Sequence, residues 1–177
     1  MIVKKLITKK EINDKIQKLS ENIFKEFGNE YFIILSVLNG SFVFVSDLSR
    51  ELSKYTVNFE IHFIRLKSYS GKKSSGMVKW YDDLPDIKGK NLLIVEDILD
   101  SGLTLNELYH KIQIQKPLKC KIAVLLEKNI RRVDNIKADF IGFSVDDKFV
   151  VGYGLDYNEK YRGLPYIGYI DTETMEK

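Results

Sequence analysis

Glu96 and Asp97 stand side by side in the stretch IVEDILDSGLTL, with Asp100 three residues on and Ser101, Gly102 and Thr104 following. Two kinds of chemistry are written here. Small hydroxyl and glycine residues opening a helix present unpaired backbone N–H groups to a phosphate, aided by the helix dipole. Carboxylates repel phosphate, but they accept hydrogen bonds from sugar hydroxyls and bind Mg²⁺ directly or through its waters. A ligand with a phosphate at one end, ribose hydroxyls beside it and a metal-bound anionic group beyond would use both halves. A phosphorylated ribose carrying pyrophosphate has that build. Two better-known phosphate motifs are excluded. No Walker pattern occurs, because no lysine lies between Val95 and Lys111. Gly152-Tyr153-Gly154 lacks the third glycine of a dinucleotide fingerprint.

These residues need elements to hold them. Ile12, Ile16, Leu19, Ile23 and Phe27 recur at helical spacing, with Thr8 and Glu11 in a capping-box pattern and Gly28 as a stop. Tyr31 to Leu38 reads as a strand buried on both faces, and Asn39-Gly40-Ser41 turns into a second helix over about Phe42 to Ser53. In TVNFEIHFIRL, Val57, Phe59, Ile61 and Phe63 share one face of a strand, and Asn58, Glu60 and His62 the other. Asn91 to Val95 is a strand that feeds the acidic stretch, and Leu103 to Gln113 is the helix after it. Cys120 to Leu126, Asp139 to Val145 and Lys148 to Gly154 are further strands. Strands alternating with helices predict an α/β fold with a mainly parallel central sheet. In such sheets ligands bind beyond the carboxyl ends of the strands, where Glu96 to Thr104 falls. The polar stretch KSYSGKKSSGMVKW is long for a loop in a compact domain, a length found in lids and in disordered segments.

Composition narrows the class. The 177 residues suit one domain with a substantial core, and 44% are hydrophobic. A net charge of +3 without any long basic block gives no nucleic-acid footprint. The C-terminal tyrosines have few basic residues between them, so they read as packing rather than base stacking. No stretch approaches the ~20 apolar residues that span a bilayer, and the N-terminus has no signal-peptide core. Cys120 is the single cysteine and reads as a buried structural thiol. The expectation is a soluble cytoplasmic protein, with no nucleic-acid or membrane partner.

The stretch VEDILDSGLTL resembles the signature loop of phosphoribosyltransferases that bind 5-phosphoribosyl-1-pyrophosphate (PRPP). With VLNGSFVFVSDL, FIRLKSYSG, LLEKN and DFIGFSVDDKFVVGYGLDYNEKYRGLPYIG, the likeness runs from about Tyr31 to Ile170 and narrows to the bacterial hypoxanthine (hypoxanthine-guanine) enzymes of that family. The resemblance implies the type I phosphoribosyltransferase fold: a parallel sheet flanked by helices, a small hood and a mobile lid over about 67–79, in one domain spanning 1–177. It implies purine salvage, in which PRPP and hypoxanthine or guanine give IMP or GMP and pyrophosphate, with Mg²⁺ as cofactor. It also implies a homodimer or homotetramer.

Residue by residue, the resemblance assigns roles. Glu96 and Asp97 would meet the ribose hydroxyls and a Mg²⁺, with Ile98 and Leu99 continuing the ribose-phosphate stretch. Asp100, Ser101, Gly102, Leu103 and Thr104 would cradle the 5′-phosphate. Asp100 would also be the general acid or base at purine N7. Lys128 would reach the purine O6, Phe149 would stack on the base, and the Val150 backbone would read its edge. Asp156 would hold a second Mg²⁺ beside the purine and pyrophosphate. Arg162, Asn39 and Gly40 would bind pyrophosphate, and Ser68 and Tyr69 would close the lid. Many relatives have lysine where this chain has Asn39, and often a non-proline cis peptide there, so only a backbone role carries over. Taken singly, Lys128 reads as a surface lysine, Phe149 as core, and Asp156 with Arg162 as a surface pair; the continuous resemblance is what lifts them. His62, His110 and Trp80 receive no role. Two alternatives stay open. One is a xanthine- or adenine-specific transferase. The other is a non-catalytic regulator of the same fold that senses PRPP or nucleotide.

Overall fold

The computed structural model describes residues 3–68, 78–130 and 136–170. In chain order the elements are β1 (Val3–Ile7), α1 (Lys9–Phe27), β2 (Phe32–Leu38), α2 (Phe42–Leu52), β3 (Phe59–Ser68) and β4 (Val78–Trp80). They continue with β5 (Asn91–Leu99), α3 (Leu103–Ile114), β6 (Lys119–Lys128), β7 (Phe140–Val145), β8 (Phe149–Val151) and β9 (Ile167–Ile170). Six strands form the main sheet in the order β4-β3-β2-β5-β6-β7. Every pairing in it is parallel except β3 with β4. A second sheet, β1-β9-β8, is antiparallel throughout and forms the hood.

α1 begins where its sequence says it should. The Thr8 hydroxyl accepts from the Glu11 N–H, and the Thr8 N–H donates to Glu11 Oε2 at 2.8 Å, a complete capping box. Ile12, Ile16, Leu19, Ile23 and Phe27 are all buried. Together with α2 (Phe44, Val45, Leu48, Leu52) they cover one face of the sheet, against Phe32, Ile34, Leu93 and Val95. α3 covers the other face through Leu105, Leu108 and Ile112, against Ile33, Leu35, Leu92 and Ile94. Each such fully buried aliphatic or aromatic side chain stabilises the fold by ~1.5–3 kcal/mol. β2 is therefore apolar on both sides because both sides are covered.

Two expectations need correction. β5 does not end at Val95 but runs to Leu99, still paired with β6 through Ile98 and Leu99. The acidic pair is strand, not loop, because the parallel ladder continues beneath it. The third strand starts at Phe59, so Val57 lies outside it and is largely exposed. Ile61 and Phe63 do share a face with Phe59, but only Phe59 reaches the core; Ile61 and Phe63 are 38% and 50% exposed. The hood strands β1 and β9 escape a pattern reading, being only five and four residues long.

Candidate active site

The chain goes from β2 outward to β3 and later returns to place β5 on β2's other side. The strand order therefore reverses between β2 and β5, and a crevice opens at the carboxyl ends of that pair. A cavity of about 400 Å³ lies there. It is lined by Leu38, Asn39 and Gly40 after β2, by Glu96 to Leu105, and by Asp156 and Arg162, with Val37 and Leu66. The residues expected to hold ribose, phosphate and pyrophosphate are thus brought to one cavity.

α3 starts at Gly102, whose φ of 85° favours glycine, and no side chain caps the helix. A side chain at Gly102 would also press on Ile136. The first-turn N–H groups thus receive no side-chain cap, and Ser101 and Thr104 stand beside them. This end of the cavity can take a phosphate.

The acidic pair sits at the other end. The facing pattern of β5 shifts here: Leu93 and Val95 share one core with Ile98, and Leu92 and Ile94 share the other with Leu99, so strict alternation does not hold across the acid pair. The two carboxyls lie within hydrogen-bonding reach of each other. Asp97 is buried, and its Oδ1 accepts the Ile98 N–H at 2.8 Å. Its carboxylate lies directly on Gly40, where any Cβ would overlap Oδ2. Burial raises the Asp97 carboxyl above its ordinary range despite hydrogen bonds from Glu96 and the Ile98 N–H and the charge of Arg162. Burial and then the adjacent Asp97 charge raise Glu96 well above its range. Two carboxyls withdrawn from water beside each other favour cationic or hydroxyl partners.

The Leu38–Asn39 peptide is cis. Ser41 fixes the turn: its hydroxyl donates to the Val37 carbonyl and meets the Ser36 hydroxyl at 2.7 Å, both serines buried. Arg162 donates to the Gly154 carbonyl at 2.8 Å and pairs with Asp156 Oδ1 at 2.9 Å. The surface pair considered from sequence does form, and both partners line the cavity.

Lys128, Phe149 and Val150 do not line it. Lys128 lies near Asp100, with Nζ 3.2 Å from Asp100 Oδ2 and 3.0 Å from Asp147 Oδ1. Burial lowers its pKa, but the hydrogen bonds and charges of Asp147 and Asp100 outweigh it and raise the value. Phe149 is 42% exposed and meets the Tyr157 ring edge-on at 5.4 Å, while Val150 is buried beside it in β8. Phe149 is therefore not a core residue. Ser68 ends β3, paired with Val78. Tyr69 lies outside the described residues. Trp80 donates to Glu107 at 3.0 Å and carries Lys111 over its ring, joining β4 to α3. Sequence reasoning missed Asp147, the partner of Lys128, and Gly154, whose place against Gly40 was visible only as half of a failed dinucleotide motif.

Residues 3–158 match the phosphoribosyl transferase domain, and the chain belongs to that family. Its relatives narrow the class. A Buchnera aphidicola hypoxanthine phosphoribosyltransferase is 44% identical over 94% of both chains. The Bacillus subtilis hypoxanthine-guanine phosphoribosyltransferase is 42% identical over 99% of this chain and 97% of its own. Among solved structures, a Staphylococcus aureus hypoxanthine phosphoribosyltransferase superposes with a TM-score of 0.91 at 36% identity, covering 98% of this chain and 94% of that one. A Trypanosoma cruzi enzyme in a ternary substrates complex gives 0.88 at 38% identity over 97% of each chain.

Proposed function

We propose that this chain transfers the 5-phosphoribosyl group of PRPP to hypoxanthine or guanine, releasing pyrophosphate and forming IMP or GMP. One observation carries the reading. An acid pair and a helix N-terminus without a side-chain cap face one cavity at the sheet's switch point, the two halves that a phosphorylated sugar pyrophosphate needs. The relatives' names supply the base.

The residues fit a divalent cation. Glu96 and Asp97 are crowded carboxyls whose charge burial disfavours. No group of three His, Cys, Asp or Glu forms a full cage among the described residues. Mg²⁺ is normally held by one or two carboxylates and completed by substrate oxygens. We assign one Mg²⁺ to Glu96 and Asp97 and a second to Asp156. When bound, it offsets the charge that builds on departing pyrophosphate.

The chain's own residues do the rest. The first turn of α3, with Ser101 and Thr104, holds the 5′-phosphate. Arg162 and the backbone of Asn39 and Gly40 take pyrophosphate, so the anion leaves into fixed positive potential. Asp100 accepts the N7 proton as N9 bonds to the sugar, and Lys128, at its side, donates to O6. An amino group at C6 would leave Lys128 facing a donor, which disfavours adenine. Phe149 and Val150 hold the base, and Ser68 with Tyr69 shields the reactants from water. Hood and sheet act as one domain over 1–177 in a cytoplasmic homodimer or homotetramer. No helix among the described residues is long and apolar enough to cross a membrane.

Purified protein given PRPP and Mg²⁺ should consume hypoxanthine or guanine, followed by ultraviolet absorbance, and leave adenine. Asp100→Asn should lower kcat by roughly 10²–10⁴-fold. PRPP binding without turnover of any base would move the protein to the regulators.

A further inference from the structure

Gly152, Tyr153 and Gly154 have φ of 94°, 52° and 102°, three successive left-handed residues between β8 and Asp156. Two are glycine, as that backbone prefers. The middle one is a tyrosine, for which positive φ is costly, and a residue held so persists only where its surroundings fix it.

The surroundings are specific. The Tyr153 side chain is buried, and its hydroxyl donates to Asp47 Oδ2 on α2. Arg50 holds the other Asp47 oxygen. Burial, and then Asp47, raise the Tyr153 phenol far above its usual range, so it stays a donor at any working pH. The next residue, Gly154, packs its backbone on the Gly40 carbonyl so closely that a Cβ would overlap it. The loop is thus joined to the β2–α2 segment twice: at its mouth through Gly40, and further along α2 through Asp47. One contact would leave a pivot, whereas two fix an orientation. The group so oriented is the arm carrying Asp156 and Arg162, because Arg162 hangs on the Gly154 carbonyl and Asp156 pairs with Arg162. Tyr153 and Asp47 line none of the catalytic cavity.

We infer that the Tyr153–Asp47 hydrogen bond is a positioning latch, which sets Asp156 and Arg162 against Asn39, Gly40 and Asp97 to the span that pyrophosphate needs. The inference rests on the reading of this cavity as a PRPP site. It explains why a bulky residue occupies a backbone state suited to glycine. The tyrosine side chain both fills the core there and reaches Asp47.

The test pairs steady-state kinetics with PRPP·Mg²⁺ binding by calorimetry, on wild type, Tyr153→Phe, Asp47→Ala, Asp47→Asn and the double variant Tyr153→Phe/Asp47→Ala. Tyr153→Phe keeps the ring and the packing. It should lower kcat/KM for PRPP, and PRPP affinity, at least about tenfold while the KM for hypoxanthine holds. Asp47→Ala should match it, and the double variant should be no worse than either. Asp47→Asn still accepts from the hydroxyl and should retain wild-type PRPP affinity. Wild-type PRPP affinity in Tyr153→Phe would overturn the latch. So would losses that add in the double variant, or losses for base and PRPP alike that track a fall in Tm. A wild type that binds PRPP but turns over no purine would sink the proposed reaction, and the binding series would still judge the latch. A wild type that does not bind PRPP overturns both.

Discussion

At the scale of single residues, Glu96 shows how function works against stability. Glu96 and Asp97 lie together with their charged forms disfavoured by burial. Removing one charge should relax the free protein while harming its binding. Glu96→Gln is expected to raise Tm by about 2–4 °C, the shift for roughly 1 kcal/mol in a chain of this size, and to raise the KM for PRPP. Scanning calorimetry beside kinetics checks both signs. Cys120 is the opposite case, a residue with no chemistry to do. Burial, and then the charge of Asp139, push its thiol up to about 12. Only the thiolate is nucleophilic, so at pH 8 folded protein should react with a thiol reagent far more slowly than protein in denaturant. Equal rates would show that the thiol is open. The apolar run that follows Cys120 suggested full burial, but the residue is only half-buried, packed against the edge of the core. The partner of Lys128 was not legible, since Asp147 lies 19 residues away and meets it only across the β6–β7 pairing.

At the scale of elements, local signals told most and packing told the rest. The capping box at Thr8 was readable because both halves lie within four residues. Thr8→Ala should cost ~1 kcal/mol and show as a lower denaturation midpoint, with kcat unchanged at 25 °C. The turn after β2 was readable as backbone chemistry, but not its reason for glycine. That reason is the Asp97 carboxylate, which a Cβ at Gly40 would overlap. Gly40→Ala must displace it. It should abolish measurable PRPP affinity in a protein whose circular dichroism remains that of wild type; retained affinity would show that the turn has slack. The extent of β5 was misjudged for a related reason. Acids look like a loop in sequence, and only the ladder to β6 shows that they are strand.

At the scale of the whole molecule, one apolar surface stands out. Ile61 and Phe63 continue, beyond the reach of α2, the face of the sheet that α1 and α2 cover, and they are exposed in the single chain. A second copy would bury them, since two-fold homodimers are the commonest assembly and such a face is a core cut at its edge. Phe63→Glu should convert the particle to a monomer in sedimentation equilibrium. A wild type already monomeric at micromolar concentration would remove the self-association reading. The fold class itself was the most legible feature of all, because alternation of apolar strands with amphipathic helices leaves few architectures open. The hood was less so: β1 and β9 come from opposite ends of the chain, and no local pattern announces that they will pair.

The fit of Asp97 against Gly40 gives letter order a meaning that composition lacks. A Cβ at Gly40 would overlap the Asp97 carboxylate, so the space there takes the shorter acid and no more. Exchanging the letters at 96 and 97 would leave mass, charge and hydropathy untouched. Yet it would set the longer acid into a space the shorter one already fills, and draw its neighbour back by one methylene. Two permutations of the same atoms would then be, to the ligand, different locks.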